Sequence, residues 1–199
     1  MKRAALSLAT VLAGCTVLSP KADHSNLFVL TATSSQRGTP VPLVVGVGSL
    51  TLPDYLDRAQ IVTRQGEHHI ALAELDRWGE PLRDGIVRTL RLDLATELGS
   101  ESVVADARHG AADVDLVVSV EVLRFERVSS VGVEVAARWW VRDGRSGARL
   151  IDRESHIRLA LSHADAEAAV ASFSQALATM SHQIGAGIRE VAPQVAAAR

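Results

Sequence analysis

The chain has 199 residues and a single cysteine, Cys15. No disulfide within the chain and no cysteine-based zinc site can form. Aromatic residues make up only 4%, which argues against the stacking platforms that bind single-stranded nucleic acid. Lysine is nearly absent: Lys2 and Lys21 are the only two, and every other fixed cation is arginine. The formal net charge is −2, so no basic field exists for sequence-general nucleic-acid binding. No apolar run approaches the roughly 20 residues needed to span a bilayer as a helix. Apolar residues nevertheless make up 47% and charged residues 22%, a globular balance rather than a disordered one.

The N-terminus reads as an address. Lys2 and Arg3 precede the run Ala4 to Ala13, whose only polar members are Ser7 and Thr10. That is the length of a signal-peptide core. It ends in Leu12-Ala13-Gly14-Cys15, which resembles the bacterial lipobox. The thiol is needed there because diacylglycerol is attached through a thioether, and the small residues before it admit the peptidase. Residues 1–14 are therefore expected to be a lipoprotein signal peptide. Cys15 is the expected lipidation site, carrying a covalent diacylglycerol and an N-acyl chain such as palmitate. Residues 15–26, which contain Ser, Pro, Lys, Asp, His and Asn with little apolar pattern, read as a tether, and residues 27–199 as the folded domain.

Hydrophobic periodicity divides that domain. Leu27 to Leu30 and Leu43 to Leu50 read as strands, and Gly46 and Gly48 signal a bulge or close backbone approach in the second. Ile61 to Thr63 and His69 to Leu72 flank a Gln65-Gly66-Glu67 turn. Trp78, Leu82, Ile86, Leu90, Leu94 and Leu98 recur every four residues as a helical stripe, with Pro81 in the first turn and Gly99 at the C-terminal cap. Val114 to Val122 alternates, then slips at Leu123 and Phe125, as a bulge would make it. Val131 to Val141 and Ile151 to Leu161 complete an expected antiparallel meander. A last helix is expected from a Ser162 cap, with Val170, Phe173, Leu177, Met180, Ile184 and Ile188 as its stripe and Pro193 as its stop. The expected fold class is α+β, a mainly antiparallel sheet with two long helices packed on one face.

The search for chemistry returns little. Gly46-Val47-Gly48 lacks the rest of a dinucleotide fingerprint. Gly144-Arg145-Ser146-Gly147 lacks the strand-to-helix context of a nucleophile elbow. Glu67-His68-His69 puts neighbouring imidazoles on opposite strand faces, and Asp113 with Asp115 reads as solvated acids beside a loop. No catalytic residue, metal site or diffusible cofactor is assigned. Trp139-Trp140 places one indole on each face of the sheet, one in the core and the other either covered by a helix or open to a partner.

The most distinctive stretch is Leu52-Pro53-Asp54-Tyr55-Leu56-Asp57-Arg58-Ala59-Gln60-Ile61-Val62-Thr63-Arg64, followed by Leu75-Asp76-Arg77-Trp78-Gly79-Glu80-Pro81-Leu82. With the lipobox, it resembles the PqiC-type family of ABC-transport auxiliary lipoproteins. The likeness covers most of the domain and departs from the pattern at Gly79. It implies a non-enzymatic, membrane-anchored lipoprotein facing the periplasm. It further implies an accessory role in an MCE-type (mammalian-cell-entry) transport system that moves lipid between inner and outer membranes. The implied partners are an MCE-domain protein and neighbouring copies in a homo-oligomeric ring, with no nucleic acid among them. A monomeric lipid- or small-molecule-binding lipoprotein is the second reading, and a lipoprotein hydrolase a distant third. Tyr55, Arg58, Arg64 and Trp140 are the candidate partner-binding residues, because Tyr, Trp and Arg combine broad contact with directional hydrogen bonding. The same loop also has a purely structural reading, in which Pro53 fixes a turn, Tyr55 and Leu56 plug an edge, and Arg58 and Arg64 pair with nearby acids.

Thr16, rather than an aspartate, follows Cys15, and by the enteric sorting rule this directs the protein to the outer membrane. Cys15→Ala is expected to abolish palmitate labelling and leave an uncut precursor. Density-gradient fractionation of the wild type should recover it with outer membranes, and recovery with inner membranes would contradict the sorting expectation.

Overall fold

The computed structural model describes residues 24–35, 37–105, 114–129 and 131–198. The expected signal peptide, Cys15 and most of the expected tether lie outside them, as does Asp113. Eight strands and two helices follow in the order β1 (Asn26–Phe28), β2 (Val45–Thr51), β3 (Gln60–Arg64), β4 (Ile70–Trp78), α1 (Leu82–Glu97), β5 (Val103–Ala105), β6 (Leu116–Val128), β7 (Gly132–Asp143), β8 (Arg149–Ala160) and α2 (Ala166–Ala197). All eight strands belong to one sheet.

The sheet is mixed, not mainly antiparallel. The meander β6-β7-β8 and the β3–β4 hairpin are antiparallel as expected. The other four pairings, β1 with β4, β5 with β2, β2 with β6 and β3 with β6, are parallel. Alternation of apolar residues fixes which face a strand buries, but not which neighbour it takes or in which direction. β5, only three residues long, carries too little pattern to be seen in the sequence.

β6 organises the rest. One of its edges pairs with β7 from Leu116 to Val128, with a register shift between Val122 and Arg124. That is the bulge expected at Leu123. Its other edge is shared by β2, opposite Leu116 to Glu121, and β3, opposite Arg127 and Val128. β2 also shifts register between Val47 and Leu50. A Cβ on Gly48 would lie 2.7 Å from the Val117 side chain, so glycine is what lets the two backbones meet.

The helices cover the face that carries Val45, Val47, Leu116, Val118, Trp139 and Val141, all buried. α1 lies over β2 and β5, α2 over β7 and β8, and the helices pack side by side. The stripe Leu82, Ile86, Leu90, Leu94 and Leu98 is buried as expected. Trp78 shares that core from the end of β4 rather than from the helix. α1 ends in a Schellman motif: Gly99 takes φ +57°, its N–H donates to the Thr96 carbonyl, and the Ser100 N–H donates to that of Ala95.

α2 departs from expectation at both ends. Its N-cap is Asp165, which accepts from the Ala168 N–H at 2.8 Å, not Ser162. The Leu161 N–H is still engaged with the Val131 carbonyl, so the turn into the helix starts later. Pro193 does not stop the helix, which runs on to Ala197. Burial of Val191 and Val195 on either side holds the last turn down despite the missing hydrogen bond. The glycines within α2 serve packing: a Cβ on Gly187 would lie 3.1 Å from the Trp139 ring.

At the centre, Trp78, Phe125 and Phe173 form one aromatic cluster. Phe125 and Phe173 stack with ring centroids 4.3 Å apart, and Trp78 meets Phe173 edge-on at 6.0 Å. Phe173 is fully buried, so Phe173→Ala is expected to cost about 3–5 kcal/mol. Urea unfolding followed by circular dichroism checks this. A loss below about 1 kcal/mol would contradict the packing described.

Candidate interaction surface

The sheet face away from the helices carries the candidate residues. Between β2 and β3 the chain leaves the β6 edge as the loop Leu52 to Ala59. The Leu56 N–H donates to the Pro53 carbonyl at 2.9 Å, closing a turn that begins at Pro53. Leu56 is buried in the hydrophobic core and Tyr55 half-buried against it. The Tyr55 hydroxyl donates to Glu126 Oε1 at 2.6 Å. Arg64, at the end of β3, makes a two-pronged pair with the same carboxylate: Nε donates to Oε2, and Nη2 donates to Oε1 at 2.6 Å. Tyr55 and Arg64 are thus brought together on Glu126, whose side chain is fully buried.

Arg58 and Trp140 stand differently. Arg58 is half-buried, and its Nε is buried with no hydrogen-bond partner among the described residues. Trp139 lies in the core and donates from Nε1 to Ser155 Oγ at 2.9 Å. Trp140 lies on the outer face, so the two indoles divide between faces as expected. Arg149 sits over the Trp140 ring at 4.8 Å and Arg142 at 5.8 Å, within cation–π range. The Trp140 Nε1 is buried and has no partner among the described residues.

Two acids escaped the sequence reading. Glu126 and Glu134 face each other across β6 and β7. Glu134, also buried, accepts from Arg124 and Arg158 and shares a 2.6 Å hydrogen bond with His156. The signal was present: the bulge at Leu123 shifts the alternation, placing Phe125 inward and Glu126 outward. What no local pattern shows is that the Leu52–Ala59 loop then covers Glu126.

The remaining sequence candidates stay apart. His68 and His69 are exposed at the β3–β4 hairpin tip. No group of three or more His, Cys, Asp or Glu side chains able to hold a metal occurs among the described residues. Asp115 is buried and accepts from the Val44 N–H at 2.7 Å, so it anchors the start of β2 rather than standing in solvent. Ser146 hydrogen-bonds Asp143 within the β7–β8 turn.

Burial opposes ionisation of Glu126, but the hydrogen bonds from Arg64 and Tyr55 outweigh it and hold the carboxyl below its ordinary range. Glu134 is likewise depressed, with burial outweighed by His156 and Arg158. Burial, then the Glu126 carboxylate, pushes the Tyr55 hydroxyl up to about 12.

Residues 27–185 match the family described as ABC-type transport auxiliary lipoprotein component. The chain belongs to that family. Membership makes it an accessory lipoprotein of a transport system, membrane-anchored and facing the periplasm. Two solved structures share the fold. One, from Xanthomonas campestris, is 17% identical with a TM-score of 0.68, covering 87% of this chain and all of that one. The other, titled an uncharacterized protein, is 22% identical with a TM-score of 0.64, covering 77% of this chain and 99% of that one. No curated protein matches the chain by sequence.

A carboxylate whose folded pKa is depressed adds stability above its unfolded pKa, and that stability is lost as pH falls through the folded value. Urea midpoints of the wild type should therefore fall as pH drops below the ordinary glutamate value of 4.5. Glu126→Gln is expected to cost about 3–5 kcal/mol at neutral pH, because it strands a half-buried guanidinium, and to flatten that acid decline. An unchanged acid limb would show that Glu126 does not govern it.

Proposed function

We propose that this lipoprotein is a non-catalytic docking component of an MCE-type lipid transport system, held on the periplasmic side of the outer membrane by acyl chains on Cys15. It acts by contact, with an MCE-domain protein and with neighbouring copies of itself. The observation that supports contact over ligand enclosure is the filling of the sheet–helix interface. The Trp78–Phe125–Phe173 cluster and Trp139 occupy the space where a sheet-and-helix domain would otherwise hold a lipid. Family membership supports the accessory role, and the lipobox-like Leu12-Ala13-Gly14-Cys15 supports the anchor.

Within this reading the candidate residues divide by what their polar atoms already do. Tyr55 fastens the loop through Glu126, and Arg64 holds that carboxylate from β3 while its Nη1 donates to the Gly66 and Glu67 carbonyls. Arg58 and Trp140 stand outside that arrangement and are each part-exposed; we assign them to the docking surface through their exposed portions, since the Nε of Arg58 and the Nε1 of Trp140 are buried.

The alternative, a monomeric lipid-binding lipoprotein, has one feature in its favour. A cavity of about 240 Å³ opens at the surface between Val41, Leu43, Ala192 and Pro193, with Arg189 at its rim. It is apolar and large enough for part of one acyl chain.

Co-purification of the tagged, lipidated protein from solubilised envelopes separates the two. The expected result is recovery of an MCE-domain protein, reduced at least several-fold by Arg58→Ala or Trp140→Ala with the melting temperature nearly unchanged. Recovery of a monomer carrying extractable lipid and no MCE-domain protein would overturn docking in favour of the alternative. Loss of recovery only in proportion to lost stability would make Arg58 and Trp140 structural.

A further inference from the structure

Three exposed apolar side chains share one face at a corner of the sheet. β1 lies parallel to the end of β4 with Leu27 opposite Arg77, so alternation puts Leu27, Leu75 and Arg77 on one face. A Cβ on Gly79 would lie 3.2 Å from Val29 Cγ1 and 3.8 Å from Leu27 Cβ, which places Val29 there too. Leu27 is 67% exposed, Leu75 53% and Val29 52%. Leu72, further back along β4, is also exposed. Scattered single leucines on a surface need no explanation, but an apolar cluster of this kind marks a contact.

The corner is also where the chain arrives from its anchor. Asn26, the first residue of β1, follows Cys15 by eleven positions. A fully extended chain gains at most about 3.6 Å per residue, so this corner stays within about 40 Å of an acylated Cys15. A tether this short holds the cluster at high effective concentration against the bilayer, so weak affinity suffices for occupancy.

We infer that the Leu27–Val29–Leu75 face rests on the lipid surface beside the anchor and sets the orientation of the domain. The inference rests on Cys15 being the lipidated residue. The contact is at headgroup depth, where edge backbone groups remain hydrated, rather than in the hydrocarbon core. A lipid surface fits better than a second copy pairing along the edge, because β1 offers only three residues of ladder, the short end of strand lengths, so edge pairing would add few hydrogen bonds while leaving the apolar side chains on the face uncovered.

The single cysteine makes the test direct. Once Cys15 carries its lipid the protein has no free thiol, so Leu75→Cys introduces one labelling site. Val104→Cys provides the control, since Val104 is exposed on β5, at the opposite end of the strand order. Each lipidated variant is labelled with a nitrobenzoxadiazole fluorophore and reconstituted into phosphatidylethanolamine–phosphatidylglycerol vesicles, with and without spin-labelled lipid. The label at position 75 is expected to be blue-shifted and quenched at least twofold more than that at position 104. Equal emission and equal quenching at both positions would overturn the inference. So would disulfide-linked dimers of the Leu75→Cys protein with no lipid quenching, which would assign the face to a second copy. A protein that does not float with the vesicles would overturn the Cys15 anchor, and the orientation with it.

Discussion

The architecture turns on one edge of β6. A strand of thirteen residues is paired along one side by β7, and its other side must also find partners, because unpaired buried backbone groups are costly. No single strand supplies them. Thr51 stands opposite Glu121 and Thr63 opposite Arg127. Twelve positions of the chain therefore pass while β6 advances by six. β2 and β3 follow a single path along β6, interrupted by the excursion from Leu52 to Ala59. The length of β6 thus creates a gap opposite its bulge, and the loop closes it. The loop's position is set by the sheet, and it is held there by Tyr55 on Glu126, a carboxylate that Arg64 grips from β3, and by Leu56 in the core.

That hold explains a buried charge where an apolar residue would serve packing as well. An ion pair out of water gains little net stability over apolar residues of similar volume. Its value here is geometric. A carboxylate with Arg64 on two atoms and Tyr55 on one accepts a narrow range of loop positions, whereas a leucine would accept many. Asp93 does a comparable task on the helix side. It is buried in α1 and accepts from the Thr33 and Ser34 N–H groups, fastening the irregular segment after β1 across the helices. Its electrostatics run the other way. Burial is the largest influence and raises its pKa despite those bonds, so Asp93 favours the folded state more when protonated. Acid therefore weakens the loop fastening at Glu126 and relieves the cost of the fastening at Asp93.

Much of this was legible in the sequence. The stripes of both helices, the bulge at Leu123, the Gly99 cap, the β3–β4 turn and the division of Trp139 and Trp140 between faces all follow from spacing. Partners and directions did not follow. The parallel pairings of β2, β3 and β5 depend on contacts between segments far apart in sequence, and alternation carries no such information. Trp78 extended the helical stripe because a residue at the end of a strand can face the same core at a spacing of four. Pro193 failed as a stop because buried valines outweighed a local preference. The burial of Glu126 and Glu134 gave no signal, since an outward-facing residue is exposed unless another segment covers it or charged neighbours enclose it.

The same logic bears on how a protein without an assigned catalytic centre acts. Its two faces are used up to different degrees. The helix-covered face is filled with aromatic and aliphatic side chains, and it opens to the surface at the small cavity between Leu43 and Pro193. The other face is fastened by charges at the loop end of the sheet. Further along, it holds an indole with Arg142 and Arg149 over its ring and a buried ring nitrogen that no described residue satisfies. The corner at β1 adds an apolar cluster beside the incoming chain. A lipid anchor alone fixes a domain's distance from a membrane but leaves it free to tumble. A second contact at the β1 corner would remove that freedom and give the Trp140 face a fixed direction relative to the bilayer. Docking onto a transport assembly benefits from such a constraint, because orientation settled beforehand is entropy that binding no longer has to supply.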